Sequence, residues 1–239
     1  LLGRTLELCF DQMTTSQLHD ALVLTARSLI EADPAYSFVA ARLLLRKLYA
    51  EVWGEPVEVD AAAAVYPAMF RRSIEAAVAA ERLQPALLDF DVARLGQALR
   101  PERDLSFAYM GMQTLYDRYF LHHDGRRLET PQIFWMRIAM GLALQEGGQR
   151  EARAIEFYDA MSEFRYVPST PTLFNAGTRY AQLSSCFLTT IKDDLDHIFK
   201  SIKDNAMLSK WSGGLGNDWT LVRALGAHIQ GTNGKSQGV

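Results

Sequence analysis

The chain is most informative at LSSCFLTTI (residues 183–191), which is followed by DDLDHIFKSIKDNAMLSK (residues 193–210). Cysteine, aromatic and β-branched residues dominate the first segment, and this composition predicts a short buried strand. Alternation along a strand places Cys186, Leu188 and Thr190 together on one of its faces.

The second segment predicts an amphipathic helix. Asp193 or Asp194 offers a side-chain cap for its first turn. Its expected apolar stripe consists of Leu195, Ile198, Phe199, Ile202 and Ala206. The glycines of WSGGLG (211–216) should end this helix, and a second short strand is expected around Trp219 to Val222. Strand, helix and strand in this order predict the first unit of an α/β domain with a parallel sheet.

Residues before this unit carry helical periodicity. Thr14, Thr15 and Ser16 offer an N-cap, Gly54 a helix end and Pro131 a first-turn residue. Helical patterns occupy residues 18–33, 37–54, 70–83, 86–99, 110–121, 131–147 and 150–164. VPSTPTLFNAGT (167–178) is rich in turn-forming residues and predicts a loop. We therefore expect a helical domain over residues 1–165 and a second domain over 166–239.

Composition excludes several protein classes. The 239 residues are 49% hydrophobic, and 25 Lys+Arg against 28 Asp+Glu leave a net charge of −3, so nucleic-acid binding is not expected. Cys9 and Cys186 cannot form a disulfide framework, which indicates a cytoplasmic protein with reduced thiols. We expect neither a transmembrane helix nor a signal peptide. Both ends look cut, so we expect a fragment of a longer protein.

Each candidate site has a structural and a functional interpretation. Cys186 is either a buried structural cysteine or a redox thiol beside a substrate. The hydroxyl-rich Ser169–Thr172 segment either cradles a phosphate or forms a local turn. The glycine-rich run between Lys210 and Arg223 either holds a nucleotide phosphate or lies on the surface. The scattered histidines predict no metal site.

Several motifs taken together resemble the large, catalytic subunit of class I ribonucleotide reductase. They follow the family's order: LYDRY (115–119), ETPQ (129–132), MR (136–137), STPTLFNAGT (169–178), QLSSCFL (182–188), KDD (192–194), LSK (208–210), GGLG (213–216), VRA (222–224) and GTNG (231–234). The resemblance implies a mainly α N-terminal helical domain, followed by the first β/α unit of a ten-stranded α/β barrel.

The resemblance also implies site residues. Cys186 matches the cysteine that reduces the ribose 2′ position and becomes half of a disulfide. Ser185 matches a substrate contact, and Ser169 with Thr170 falls where the family binds the diphosphate of its ribonucleotide substrate. An allosteric specificity site for dNTP or ATP at a homodimer interface maps to Asp194, Lys210, Arg223, Ile229, Ser236 and Gln237.

The family's remaining machinery lies outside this chain. The thiyl-radical cysteine, the partner of Cys186 and the shuttle cysteines would follow Val239, so the chain alone is expected to be inactive. No cofactor is expected in it, because a metal-containing small subunit supplies the radical, and thioredoxin or glutaredoxin supplies electrons. Two alternatives stay open: a cobalamin-dependent ribonucleotide reductase, and a non-catalytic nucleotide-binding or dimerisation module.

Overall fold

A computed structural model describes residues 1–58, 61–210 and 213–238. The chain divides into two compact units, one formed by Leu1–Pro168 and Leu173–Ala181, the other by Ser169–Thr172 and Gln182–Val239. The domain boundary expected after residue 165 stays a prediction.

The first unit is helical. Its helices are α1 (Leu2–Leu6), α2 (Thr15–Ser28), α3 (Tyr36–Trp53), α4 (Ala62–Ala79), α5 (Val92–Ala98), α6 (Tyr109–Thr114), α7 (Pro131–Ala143) and α8 (Arg150–Ser162). Short 3₁₀ turns cover Pro85–Asp89, Pro101–Ser106 and Gly147–Gln149, and a π turn over Leu115–Tyr119 extends α6. A further short helix, α9 (Thr170–Asn175), follows α8 in sequence.

Local signals account for several helix ends. Thr14 forms a capping box with Gln17 at the start of α2, α3 ends at Gly54 in the left-handed region, and Pro131 is the first residue of α7. All three ends were predicted and are confirmed. The single helix predicted over 86–99 is wrong, because the Asp91 side chain accepts the Arg94 N–H and starts the new helix α5 there.

Helix α7 forms the centre of the first unit. Its residues from Pro131 to Met140 are all buried, so it is enclosed on every side. A helix covered in this way has no solvent-facing stripe. Helix α8 packs against it, while α2 and α6 pack against α3.

A polar network lies inside this helical core. Asp104 is fully buried and accepts hydrogen bonds from the Tyr49 and Tyr66 hydroxyls and from Gln132 Nε2, the last at 2.7 Å. Gln132 in turn accepts from the Tyr158 hydroxyl. Burial raises the pKa of Asp104 to about 6, and the three hydrogen bonds oppose that rise.

A buried ion pair lies one turn further along α7. Arg137 Nε donates to Glu129 Oε1 at 2.8 Å, and neither side chain is more than 3% exposed. Arg137 Nη1 donates to the carbonyls of Leu173 and Ala176, each at 2.9 Å. The backbone N–H of Leu121 donates to the other Glu129 oxygen. Every charge in this cluster is therefore hydrogen-bonded.

A two-residue hairpin joins β1 (His122–His123) to β2 (Arg126–Arg127). Asp124 and Gly125 at its tip both have positive φ, +48° and +75°, as an Asp-Gly turn allows. Arg127 on β2 is partly covered by neighbouring side chains. Its guanidinium stacks 3.4 Å from the centre of the Tyr116 ring and pairs with Glu51 at 3.1 Å.

The second unit contains the predicted strand–helix–strand order. Strand β3 (Cys186–Thr190) is followed by helix α10 (Leu195–Ser209) and strand β4 (Gly214–Asp218), and the two strands are parallel. The register pairs Cys186 with Gly214 and Thr190 with Asp218. The mainly helical fold followed by the start of an α/β domain is therefore confirmed.

The second strand was predicted in the wrong place, at Trp219 to Val222. The strand is instead β4, and it needs glycine at position 216 because the Leu188 side chain of β3 occupies the space beside that residue. A Cβ at Gly216 would lie 2.8 Å from the Leu188 side chain. The strand ends where the Asp218 carboxylate accepts the backbone N–H of Thr220 at 2.9 Å. Trp211 and Ser212, part of the same predicted run, lie outside the described residues.

Two kinds of feature are absent from the described residues. None of the helices there is both long enough and apolar enough to cross a membrane. The same residues hold no group of three or more His, Cys, Asp or Glu side chains arranged for a metal ion.

Candidate functional site

Cys186 is the first residue of β3, and its side chain is exposed. Its face of the strand also carries Leu188, which is 88% exposed, and Thr190. The prediction of a buried strand is therefore wrong for this face. A parallel strand is buried when neighbouring strands and covering helices enclose it, and over the described residues β3 has β4 as its one strand neighbour.

The residues around Cys186 leave its thiol accessible to solvent. The Ser185 hydroxyl lies 3.7 Å from Cys186 Sγ, and the Ser185 carbonyl accepts the Gly214 N–H at 2.7 Å. A Cβ at Gly214 would lie 4.0 Å from the sulfur. The Gln182 side chain brackets Ser184 by accepting its N–H and donating to its carbonyl. An accessible thiol next to a hydroxyl can undergo thiol–disulfide exchange.

The Ser169–Thr172 segment belongs to the same compact unit as Cys186. The Thr172 hydroxyl donates to the Leu183 carbonyl at 3.2 Å, which ties the segment to the residues leading into β3. The loop predicted over 167–178 is wrong in part, because α9 begins at Thr170. Pro171 suits the first turn of a helix, where its missing N–H costs nothing.

Asp194 is the N-cap of α10, as one of the two predicted alternatives. Its Oδ1 accepts the His197 N–H at 2.8 Å. The adjacent Asp193 pairs instead with Arg223, whose Nε lies 3.0 and 2.9 Å from the two carboxylate oxygens. This hydrogen bond lowers the pKa of Asp193. Sequence reasoning missed the Asp193–Arg223 contact, because the two residues are 30 positions apart.

Arg223 also organises the loop that follows it. Its Nη1 donates to the His228 carbonyl at 3.0 Å. Backbone hydrogen bonds close the loop, from Ile229 N to Gly234 O at 3.1 Å and from Ser236 N to Ala227 O at 2.8 Å. Ile229, Ser236 and the exposed Gln237 therefore lie on or beside one hydrogen-bonded hairpin loop.

Lys210 lies at the other end of α10, as its C-cap residue. At 1.5 Å per residue, the 16 positions from Asp194 to Lys210 span about 24 Å. One copy of the chain therefore brings Asp193, Asp194 and Arg223 into one region and leaves Lys210 at the opposite end of the helix. The expected apolar stripe on α10 is exposed, with Leu195 at 72% and Phe199 at 66%.

Comparisons with known proteins identify the two parts of the chain. Residues 105–181 match the family model "Ribonucleotide reductase, all-alpha domain", and residues 184–239 match "Ribonucleotide reductase, barrel domain". The first match covers the later helices of the helical unit and α9, and the second begins two residues before Cys186.

Individual relatives match over almost the whole chain. The ribonucleoside-diphosphate reductase subunit alpha of Chlamydia pneumoniae is 54% identical over 231 residues, which cover 96% of this chain and 21% of the relative. The Helicobacter pylori subunit alpha is 39% identical over 95% of the chain and 28% of the relative. The Danio rerio large subunit is 36% identical over 96% of the chain and 28% of the relative.

The chain thus spans between about a fifth and about three tenths of the length of these curated relatives. Within that span the order of the two matches is the order of the two structural parts, helices first and the parallel strand–helix–strand unit second. The chain belongs to the ribonucleotide reductase large (alpha) subunit family and carries its all-alpha domain and the start of its barrel domain.

Proposed function

We propose that the chain is part of a ribonucleoside-diphosphate reductase large subunit, in which Cys186 is a reducing thiol. The observation that carries this proposal is the position of Cys186, exposed at the start of β3 within the barrel-domain match. The relatives named above bear the name of this reductase. The domain division is proposed with it: helices over 1–165 and barrel over 166–239.

In the proposed chemistry, a pair of thiols supplies the electrons and protons that reduce the substrate. Replacing the ribose 2′-hydroxyl by hydrogen takes two electrons and two protons, and the oxygen leaves as water. Cys186 and a second thiol from the rest of the subunit supply both, and they form a disulfide. A small subunit supplies the radical that this chemistry requires. Thioredoxin or glutaredoxin then reduces the disulfide.

Substrate contacts are proposed for the residues that share a unit with Cys186. Ser169 precedes α9 and Thr170 is its first residue, and their hydroxyl groups are of a kind that donates hydrogen bonds to phosphate oxygens. They would bind the diphosphate of a ribonucleoside diphosphate. Ser185, whose hydroxyl lies beside the thiol, would contact the ribose.

Substitution of Cys186 in the complete subunit, assayed with its small subunit, tests the catalytic part. Cys186→Ser should abolish turnover with a dithiol reductant and leave effector binding intact. Cys9→Ser is the matched control, since this exposed cysteine lies in the helical unit and its thiol donates to the Thr5 carbonyl. Dithiol-coupled turnover by the Cys186→Ser variant would refute the role.

A specificity site for dNTP or ATP is proposed on α10 and the loop after β4. Its residues would be Asp194, Lys210, Arg223, Ile229, Ser236 and Gln237. The span of about 24 Å along α10 favours a site shared by two copies, with the exposed apolar stripe of α10 as the homodimer contact. Arginine suits a triphosphate because its guanidinium donates several hydrogen bonds in a plane.

Effector binding tests this second part. Arg223→Ala in the complete subunit should weaken dTTP or dGTP binding by about tenfold or more, the effect of losing a charged hydrogen bond. Arg179→Ala, an exposed arginine paired with Glu81, should leave it unchanged. Equal binding by the Arg223→Ala variant and the unaltered subunit would contradict the assignment.

A further inference from the structure

A pocket of about 290 Å³ lies in the helical unit between α3, α4 and the β1–β2 hairpin. Its walls combine apolar side chains such as Val52 and Met69 with the cations Arg72, Arg126 and Arg127. None of the residues lining it belongs to the proposed reductase or effector sites. Ligand pockets typically have this mixture of apolar walls and a few polar groups.

The charge of the pocket is positive. Asp124 is the one carboxylate among the lining residues, and its side chain is 88% exposed. Arg127 is neutralised by Glu51, whereas Arg126 donates to the backbone carbonyl of Glu51 rather than to a carboxylate. Among the described residues Arg72 has no ion pair. Arg72 and Arg126 therefore have no carboxylate partner among the described residues, and they outnumber the single carboxylate of the lining.

A second, independent feature of the pocket is an unpaired donor. Trp53 lines it and is 3% exposed, and its indole Nε1 has no hydrogen-bond partner among the described residues. The ring is held in place by stacking on Tyr49, with ring centres 4.2 Å apart. Because Nε1 is itself buried, a ligand in the pocket would meet the ring rather than the N–H, and the indole signal of Trp53 would report its presence.

We propose that this pocket binds a small phosphate-bearing organic anion. Arg72 and Arg126 would neutralise the phosphate, and the Trp53 ring with Val52 and Met69 would contact its organic part. Arginine matches the planar arrangement of two phosphate oxygens. The volume suits a phosphate with a small ring or chain attached.

Nuclear magnetic resonance of the indole groups tests the proposal directly. The 239-residue chain has four tryptophans, so ¹⁵N-tryptophan labelling yields few indole signals. The signal that disappears in the Trp53→Phe variant belongs to Trp53. Titration with phenyl phosphate should shift the Trp53 indole signal in a saturable way. Inorganic phosphate should do the same with weaker affinity, because it lacks the apolar part.

Neighbouring arginines provide a matched pair of variants. Arg72→Gln should weaken phenyl phosphate binding by about tenfold, as expected for the loss of a charged hydrogen bond. Arg71→Gln is the control, because Arg71 does not line the pocket and pairs with Glu75 at 3.6 Å on the helix surface. Both side chains are exposed, so neither change should unfold the chain.

Three results would overturn the site. One is a Trp53 signal that does not move, or does not saturate, with phenyl phosphate. Another is an equal loss of affinity in the Arg71→Gln and Arg72→Gln variants. The third is an equal shift produced by sodium chloride at the same ionic strength, which would indicate general charge screening rather than a phosphate site.

Discussion

The buried ion pair between Arg137 and Glu129 leads to a sharp stability prediction. In Arg137→Met the unbranched apolar chain fills much of the same space, but the guanidinium and all its hydrogen bonds are lost. Glu129 would keep a single donor, the Leu121 N–H at 2.8 Å. The carbonyls of Leu173 and Ala176 would lose the donor that each now has at 2.9 Å.

The size of the effect follows from what is left unpaired. Removing one partner of a buried ion pair costs about 3–5 kcal/mol, because the other charge stays in the low-dielectric interior. Arg137 is 0% exposed and Glu129 is 3% exposed, so solvent cannot replace the guanidinium without opening the core. We expect Arg137→Met to lower the free energy of unfolding of the helical unit by about 3–5 kcal/mol.

Urea unfolding followed by tryptophan fluorescence measures this loss, since Trp53 and Trp135 both lie buried in the helical unit. Glu129→Gln and the double variant complete a mutant cycle. The double variant should be more stable than the sum of the single losses predicts, by about 1 kcal/mol or more. Arg165→Met, at an arginine that is 63% exposed, should leave the midpoint unchanged. A loss below about 1 kcal/mol for Arg137→Met, or strict additivity in the cycle, would refute the reasoning.

Two further predictions concern the same unit. Burial raises the pKa of Asp104 from 3.8 to about 6. The folded chain therefore favours the protonated carboxyl of Asp104 more strongly than the unfolded chain does. Its free energy of unfolding should therefore fall by about 3 kcal/mol as the pH rises through that window, at 1.36 kcal/mol per pKa unit. Urea titrations at several pH values check this: Asp104→Asn should remove the slope, and an unchanged slope would contradict the prediction. Gly141→Ala should lower the stability of the folded helical unit by about 1–3 kcal/mol or more, measured by thermal unfolding, because its Cβ would lie 2.2 Å from the backbone nitrogen of Gly177. Gly148→Ala, with open space around its Cβ, should have no such effect, and equal melting temperatures for the two variants would show that the close approach is absent.

Local chemistry made part of the fold predictable. Caps and breakers act within a few residues, so Thr14, Gly54, Pro131 and Asp194 mark helix ends in the sequence itself. The parallel strand–helix–strand order was also predictable, since residues 183–210 change from an apolar run to a helical period.

Features that depend on distant partners were not predictable. Nothing in the sequence distinguishes Asp104 from the other acidic residues. Its buried network depends on Tyr49, which lies 55 positions earlier and donates a hydrogen bond to it. Period-two alternation groups Cys186 with Leu188 but cannot tell whether that face is covered. In the sequence, the glycines of β4 are typical of a turn. The side chains that pack beside them belong to β3, so these residues alone do not reveal a strand.

Thiol mapping after a single turnover tests the proposed role of Cys186 most directly. The complete reductase is mixed with a ribonucleoside diphosphate without external reductant, quenched, and treated with a thiol-alkylating reagent before peptide analysis. Cys186 should become protected from alkylation in proportion to the deoxyribonucleotide formed, while Cys9 stays alkylatable throughout. Deoxyribonucleotide formation with Cys186 still fully alkylatable would contradict the proposal.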